Sequence, residues 1–184
     1  MSVVFSSLAG YFLAAEKISF GSILLLFFGG YFMVGASNTF NQLIEREKDG
    51  IMERTLNRPL PKNRINTSQA LSIGILLSIL GVIFLYFLNI KTALFGAISI
   101  LLYVVIYTPL KRITPLSVFV GAIPGAIPYM LGWVAYTGSF GIEPGVLFLL
   151  QFFWQFPHFW ALAWMFDDDY KKAGFKMLQT GKKD

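Results

Sequence analysis

The chain has 184 residues, of which 55% are hydrophobic and only 14% charged, with a net charge of +5 and a mean hydropathy of +0.62. A soluble domain of this size would show polar faces at regular intervals, whereas here the apolar runs are continuous; runs of about 17–25 such residues suit a bilayer, and without strand alternation they read as helices rather than barrel strands. The absence of cysteine excludes disulfide scaffolds and thiolate metal sites, and the basic excess reads as charge facing the cytoplasm, with no nucleic-acid partner.

Six apolar segments follow in order: about residues 3–15, which is short for a span, then 20–44, 68–88, 92–108, 115–137 and 144–166. The start lacks a basic region and a separate cleavage site, so it reads as a helix that stays. No soluble domain, internal repeat or low-complexity tract interrupts the series, and residues 1–184 read as one domain. The loops near 45–67, 109–114 and 167–184 carry 13 of the 15 Lys and Arg residues. The other side has only Lys17 and Lys91. This asymmetry predicts that the amino terminus and those three loops lie in the cytoplasm.

The chemistry concentrates after the second segment, where residues 41–64 hold 10 of the 25 charged residues. Asn41, Glu45 and Asp49 are four apart, so on a helix they share a stripe about 80° wide that climbs about 12 Å. Like charges at this spacing repel, and burial near lipid raises the cost. A divalent cation removes both penalties. Oxygen ligands select Mg²⁺ or Ca²⁺, and Mg²⁺ commonly joins one or two carboxylates to substrate phosphates. Arg54 and Arg58 follow, with forks suited to phosphate oxygens. The plain alternative is a solvated loop of mixed charge.

The fourth-to-fifth connection carries Tyr107, Lys111 and Arg112, for which positive-inside charge is a sufficient explanation. In the fifth segment, Pro124 and Pro128 predict broken backbone hydrogen bonds, and Gly121 and Gly125 predict close helix approach. In the sixth, Pro157 should free the carbonyl of Phe153 and bend the helix. His158, the single histidine, lies within this span and is a functional candidate by default. A hydrogen-bonded interior histidine is an equally weighted reading. Asp167, Asp168 and Asp169 come later, read as a helix C-terminus where carboxylates oppose the macrodipole. Solvated acids at a helix end are the alternative there.

These motifs together resemble the UbiA-type intramembrane prenyltransferases, over nearly the whole chain. The family's first acidic motif falls on Asn41, Glu45 and Asp49, with Glu where Asp is commoner. "MERTLNRPL", "YTPLKRITPL", "QFPHFW" and "DDYKKAG" are in the style of its heme branch. The resemblance implies an all-α membrane bundle of about nine helices, of which six are counted, so the chain is expected to be a fragment short at both ends. It also implies Mg²⁺ held by Asn41, Glu45, Asp49 and Asp169, with Asp168 a weaker match for the last. Diphosphate would be bound by Arg54, Arg58, Lys111 and Arg112. His158 would serve the heme side. The implied reaction moves farnesyl from farnesyl diphosphate to a vinyl group of heme B, in the inner membrane of a bacterium, with a downstream heme A synthase or terminal oxidase as partner. A quinone-precursor or other aromatic acceptor is the nearest rival. From another class, a transporter or assembly protein stays open, although the acids cluster at one face rather than at mid-membrane.

Overall fold

A computed structural model describes residues 2–176. Residues 177–184, the last part of the basic tail read above as a cytoplasmic loop, lie outside the described residues. Among the described residues eight α-helices follow in order: α1 Ser2–Ala14, α2 Phe20–Asp49, α3 Thr67–Tyr86, α4 Ile90–Leu101, α5 Thr108–Leu110, α6 Ser117–Thr137, α7 Ile142–Met165 and α8 Asp167–Lys172. A π-helical stretch, Leu102–Tyr107, joins α4 to α5, so one span runs Ile90–Leu110.

Among the described residues five helices are long and apolar enough to cross a membrane. The first apolar segment, α1, has 13 residues and extends only about 20 Å at 1.5 Å per residue, short of the roughly 30 Å hydrocarbon core. The expected second segment ends too early. α2 carries the stripe to Asp49 in helical form, and the charged loop proper is 50–66. The next loop likewise begins at 111 rather than 109, because Tyr107 sits in the π-helical stretch rather than in a connection.

α3 starts with a reciprocal capping box between Asn66 and Gln69, which satisfies two orphan N–H groups. α6 is the centre of the bundle, with twelve buried residues on three sides. α1 lies against it backbone to backbone. A Cβ on Gly132 would stand 1.8 Å from the Ser7 carbonyl oxygen, and one on Gly10 would stand 2.0 Å from that of Tyr129. Gly121 and Gly125 serve a different purpose: they leave room for the Tyr107 ring and the Gln155 amide.

The prolines leave the helices continuous. Pro128 has no N–H for the Pro124 carbonyl, and Ser99 Oγ donates to that oxygen instead at 3.4 Å. Gln155 Nε2 donates to the Gly125 carbonyl at 3.2 Å. Neighbouring helices thus satisfy backbone groups that lipid cannot. α7 also runs unbroken through Pro157.

The Gly132 contact generates a stability prediction. Gly132→Ala should strongly reduce thermal stability in detergent, because the Cβ meets rigid backbone and overpacking costs about 1–3 kcal/mol or more. Gly145→Ala, with nothing within 4 Å of the new carbon, should be neutral or stabilising by up to about 1 kcal/mol. Equal melting temperatures for the two variants would contradict this packing.

Candidate active site at the charged end of the bundle

α2 reaches the end of the bundle with its stripe turned inward. Asn41, Glu45 and Asp49 are 7%, 3% and 0% exposed. Two buried carboxylates on one stripe demand compensation, and two other segments supply it. Lys111, just after α5, lies 2.7 Å from Glu45 Oε1 and donates to Glu45 Oε2 at 2.9 Å. Arg58, in the 50–66 loop, donates to Asp49 Oδ2 at 2.8 Å. Asn41 Nδ2 donates to Glu45 Oε2 at 2.9 Å and to Thr108 Oγ1 at 3.3 Å.

Lys111 is itself buried. Desolvation pushes its ammonium below the ordinary lysine value, and the Glu45 carboxylate pulls it partly back. The rings of Tyr107 and Phe175 lie 5.1 and 5.3 Å from its Nζ. Arg54 lies over the Phe166 ring at 4.7 Å and donates to the Tyr170 hydroxyl.

These groups line a cavity of about 190 Å³, which contains Asn41, Glu45, Asp49, Arg54, Arg58 and Lys111. A second cavity, of about 630 Å³, lies deeper between α1, α2, α6 and α7. Both have Tyr103, Tyr107 and Phe159 in their walls. The larger one is lined by His158 and Gln155 among apolar and small polar side chains. His158 stacks on Trp154 with ring centres 5.0 Å apart and planes at 17°.

The structure brings six of the expected site residues together and leaves three elsewhere. Arg112 donates to the Ile44 carbonyl at 2.7 Å. His158 belongs to the larger cavity. Asp169 does not join the stripe: its two oxygens accept from the backbone N–H groups of Glu53 and Arg54, at 3.3 Å each. The reading of Asp167–Asp169 as a helix C-terminus is also corrected. Phe166 breaks the helix with φ −116° and ψ 26°, and the three acids open a new helix, α8. There they favour the macrodipole, which removes the electrostatic reason for invoking a metal at that point.

Among the described residues no three His, Cys, Asp or Glu side chains converge as a metal site. The stripe still fits Mg²⁺. Asp49 Oδ1 is buried without a hydrogen-bond partner, and Glu45 Oε1 has only the ion pair with Lys111. Two carboxylates and an amide are a suitable oxygen set for an ion that takes its remaining ligands from substrate phosphate. Sequence reasoning missed Tyr103, Phe159 and Phe175 as walls of the site and Thr108 as a partner of Asn41.

The fold and this site define a multi-pass membrane protein with a buried oxygen-and-cation site at one end of a helical bundle and an apolar chamber beside it. The model of the UbiA prenyltransferase family matches residues 3–183, and the chain belongs to that family. It is 65% identical to the protoheme IX farnesyltransferase of Christiangramia forsetii and 60% identical to that of Flavobacterium psychrophilum, over 100% of this chain and 61% and 62% of theirs. The chain therefore spans a little over three-fifths of the length of these curated relatives. Solved structures share the fold. A digeranylgeranylglyceryl phosphate synthase superposes with a TM-score of 0.80 at 24% identity, covering 99% of this chain and 65% of that one. A UbiA homolog from Archaeoglobus fulgidus, bound to GPP and Mg²⁺, superposes with 0.74 at 20% identity, covering 95% and 62%.

The ion pairs can be tested by stability alone. Lys111→Met should lower thermal stability by about 3–5 kcal/mol, because it strands the Glu45 charge. Adding Glu45→Gln should recover much of that loss. A double variant no more stable than Lys111→Met would show that the pair is not the source of the cost.

Proposed function

We propose that this chain carries the catalytic centre of a heme-farnesylating enzyme, which transfers the farnesyl group of farnesyl diphosphate to a vinyl carbon of heme B to give heme O. The observation that carries this reading is the pair of cavities sharing Tyr103, Tyr107 and Phe159, one polar and one largely apolar. The names and 57–65% identities of the relatives support the choice of substrates, and the A. fulgidus homolog supports a prenyl diphosphate with Mg²⁺.

In this reading Asn41, Glu45 and Asp49 would hold Mg²⁺, which when bound would supply positive charge against the diphosphate. Lys111 and Arg58 leave their carboxylate partners and take phosphate oxygens, with Arg54 beside them. These preorganised cations stabilise the departing diphosphate more than the ground state, which is the requirement for rate enhancement. The farnesyl C1–O bond breaks with its electron pair leaving on diphosphate, the π pair of the heme vinyl group forms the new C–C bond at C1, and water adds to the cation left on the other vinyl carbon, giving up its proton to the departed diphosphate and completing a hydroxyethylfarnesyl group. The walls of Tyr103, Tyr107 and Phe159 keep bulk water from the allylic cation. Asp169 pins the amides of the 50–66 loop and so holds Arg54 and Arg58 over the site. His158 serves the heme side, from the larger cavity. The site end of the bundle faces the cytoplasm of the bacterial inner membrane, and heme O would pass to a heme A synthase or terminal oxidase.

In cells expressing the gene that encodes this chain, Asp49→Asn should abolish heme O, read by mass spectrometry of extracted hemes, while the protein stays in the membrane. Glu45→Asp should be milder. Near-normal heme O from Asp49→Asn would remove the stripe from the mechanism. His158→Ala should lose product and keep Mg²⁺-dependent farnesyl diphosphate binding. The opposite pattern would assign the histidine to the prenyl side.

A further inference from the structure

The Asn41 side chain is an unsymmetrical ligand: only its Oδ1 can bind a cation, while its Nδ2 cannot. Something must therefore hold the amide the right way round. The neighbours of the amide settle this chemically. Glu45 offers only acceptors when ionised. The Thr108 hydroxyl has one proton, and it donates that proton to the Tyr103 carbonyl at 2.8 Å. What Thr108 then presents to Asn41 is a lone pair, at 3.3 Å from Nδ2. Both neighbours accept, so the group facing them is the NH₂.

The π-helical stretch explains why Thr108 is so committed. The Thr108 backbone N–H also bonds the Tyr103 carbonyl, five residues back. In an ordinary α-helix the N–H would pair four residues back, with Val104. The widened turn brings hydroxyl and amide of one residue onto one carbonyl. Single π turns of this kind occur often at functional sites. Thr108 is 0% exposed, so water does not replace its bonds.

We propose that Thr108 is a positioning residue for cation binding. Its hydroxyl, oriented by the π-helical Tyr103 carbonyl, fixes the Asn41 amide with Nδ2 turned to Glu45 and Thr108 and with Oδ1 left for the metal. This rests on the reading of Asn41, Glu45 and Asp49 as the Mg²⁺ stripe. Thr108 touches neither metal nor substrate and acts through Asn41.

The test is the Mg²⁺ dependence of farnesyl diphosphate binding, in membranes from cells expressing the gene that encodes this chain. Thr108→Val keeps the shape and removes the hydroxyl. Thr108→Ala removes it a second way, should the first variant accumulate poorly, and Thr108→Ser restores it. The two hydroxyl-free variants should raise the half-saturating Mg²⁺ concentration about tenfold, the worth of one hydrogen bond. Full farnesyl diphosphate binding should return at high Mg²⁺, and Thr108→Ser should match the unaltered protein. A merely structural role would reduce binding at every Mg²⁺ concentration. That result, an unchanged Mg²⁺ requirement in a hydroxyl-free variant, or a serine variant as impaired as the valine, overturns the assignment of Thr108 while leaving the metal stripe standing. Mg²⁺-independent binding by the unaltered protein would take down the stripe itself, and this inference with it.

Discussion

The structure depends on one electrostatic constraint: two carboxylates, Glu45 and Asp49, are buried at the end of a membrane helix. A carboxylate removed from water is expensive unless it is paired and hydrogen-bonded. That cost dictates the surroundings. α2 must continue to Asp49 rather than stop at the end of its apolar run. The chain after α5 must return Lys111 to Glu45, and the loop after α2 must fold back to bring Arg58 to Asp49. The loop in turn is held by Asp169, whose carboxylate accepts from its backbone, and by the stacking of Arg54 over Phe166. Removing the two acids would leave these segments without an electrostatic reason to meet.

The same pairing explains how the site is kept ready. Lys111 and Arg58 pair with the two acids, and they are the groups that the proposed chemistry needs on phosphate. Under the proposed function, an incoming cation-diphosphate pair would exchange partners within the site rather than bring bare charge into it. Tyr103, Tyr107 and Phe159 line both this polar chamber and the larger one, so the two cavities share an aromatic wall.

Much of this was legible in the sequence, for definite reasons. Spacing of four on a helix is a strict geometric statement, so Asn41, Glu45 and Asp49 were placed on one stripe before any coordinates. Basic asymmetry between alternate loops placed Arg58 and Lys111 at the same end. The helix position of Asp167–Asp169 was misread because the break at Phe166 turns a helix C-terminus into an N-terminus, and no glycine or proline marks that break. Thr108 was invisible because the extra residue of a π-helical turn leaves no periodic signature. The contact of Gly10 and Gly132 with α6 and α1 was missed as well, since a glycine that admits another backbone looks in sequence like one that admits a ring, as Gly121 does.

The most direct test is a structure of the protein in a lipid environment with Mg²⁺ and a non-hydrolysable thio analogue of farnesyl diphosphate. The account predicts that Lys111 Nζ and the Arg58 guanidinium move from Glu45 and Asp49 onto phosphate oxygens, while the two acids and Asn41 Oδ1 face the metal and the prenyl chain passes Tyr103 and Tyr107 toward the larger chamber. Retention of the Lys111–Glu45 and Arg58–Asp49 pairs at 2.7 and 2.8 Å, with the diphosphate bound elsewhere, would contradict it.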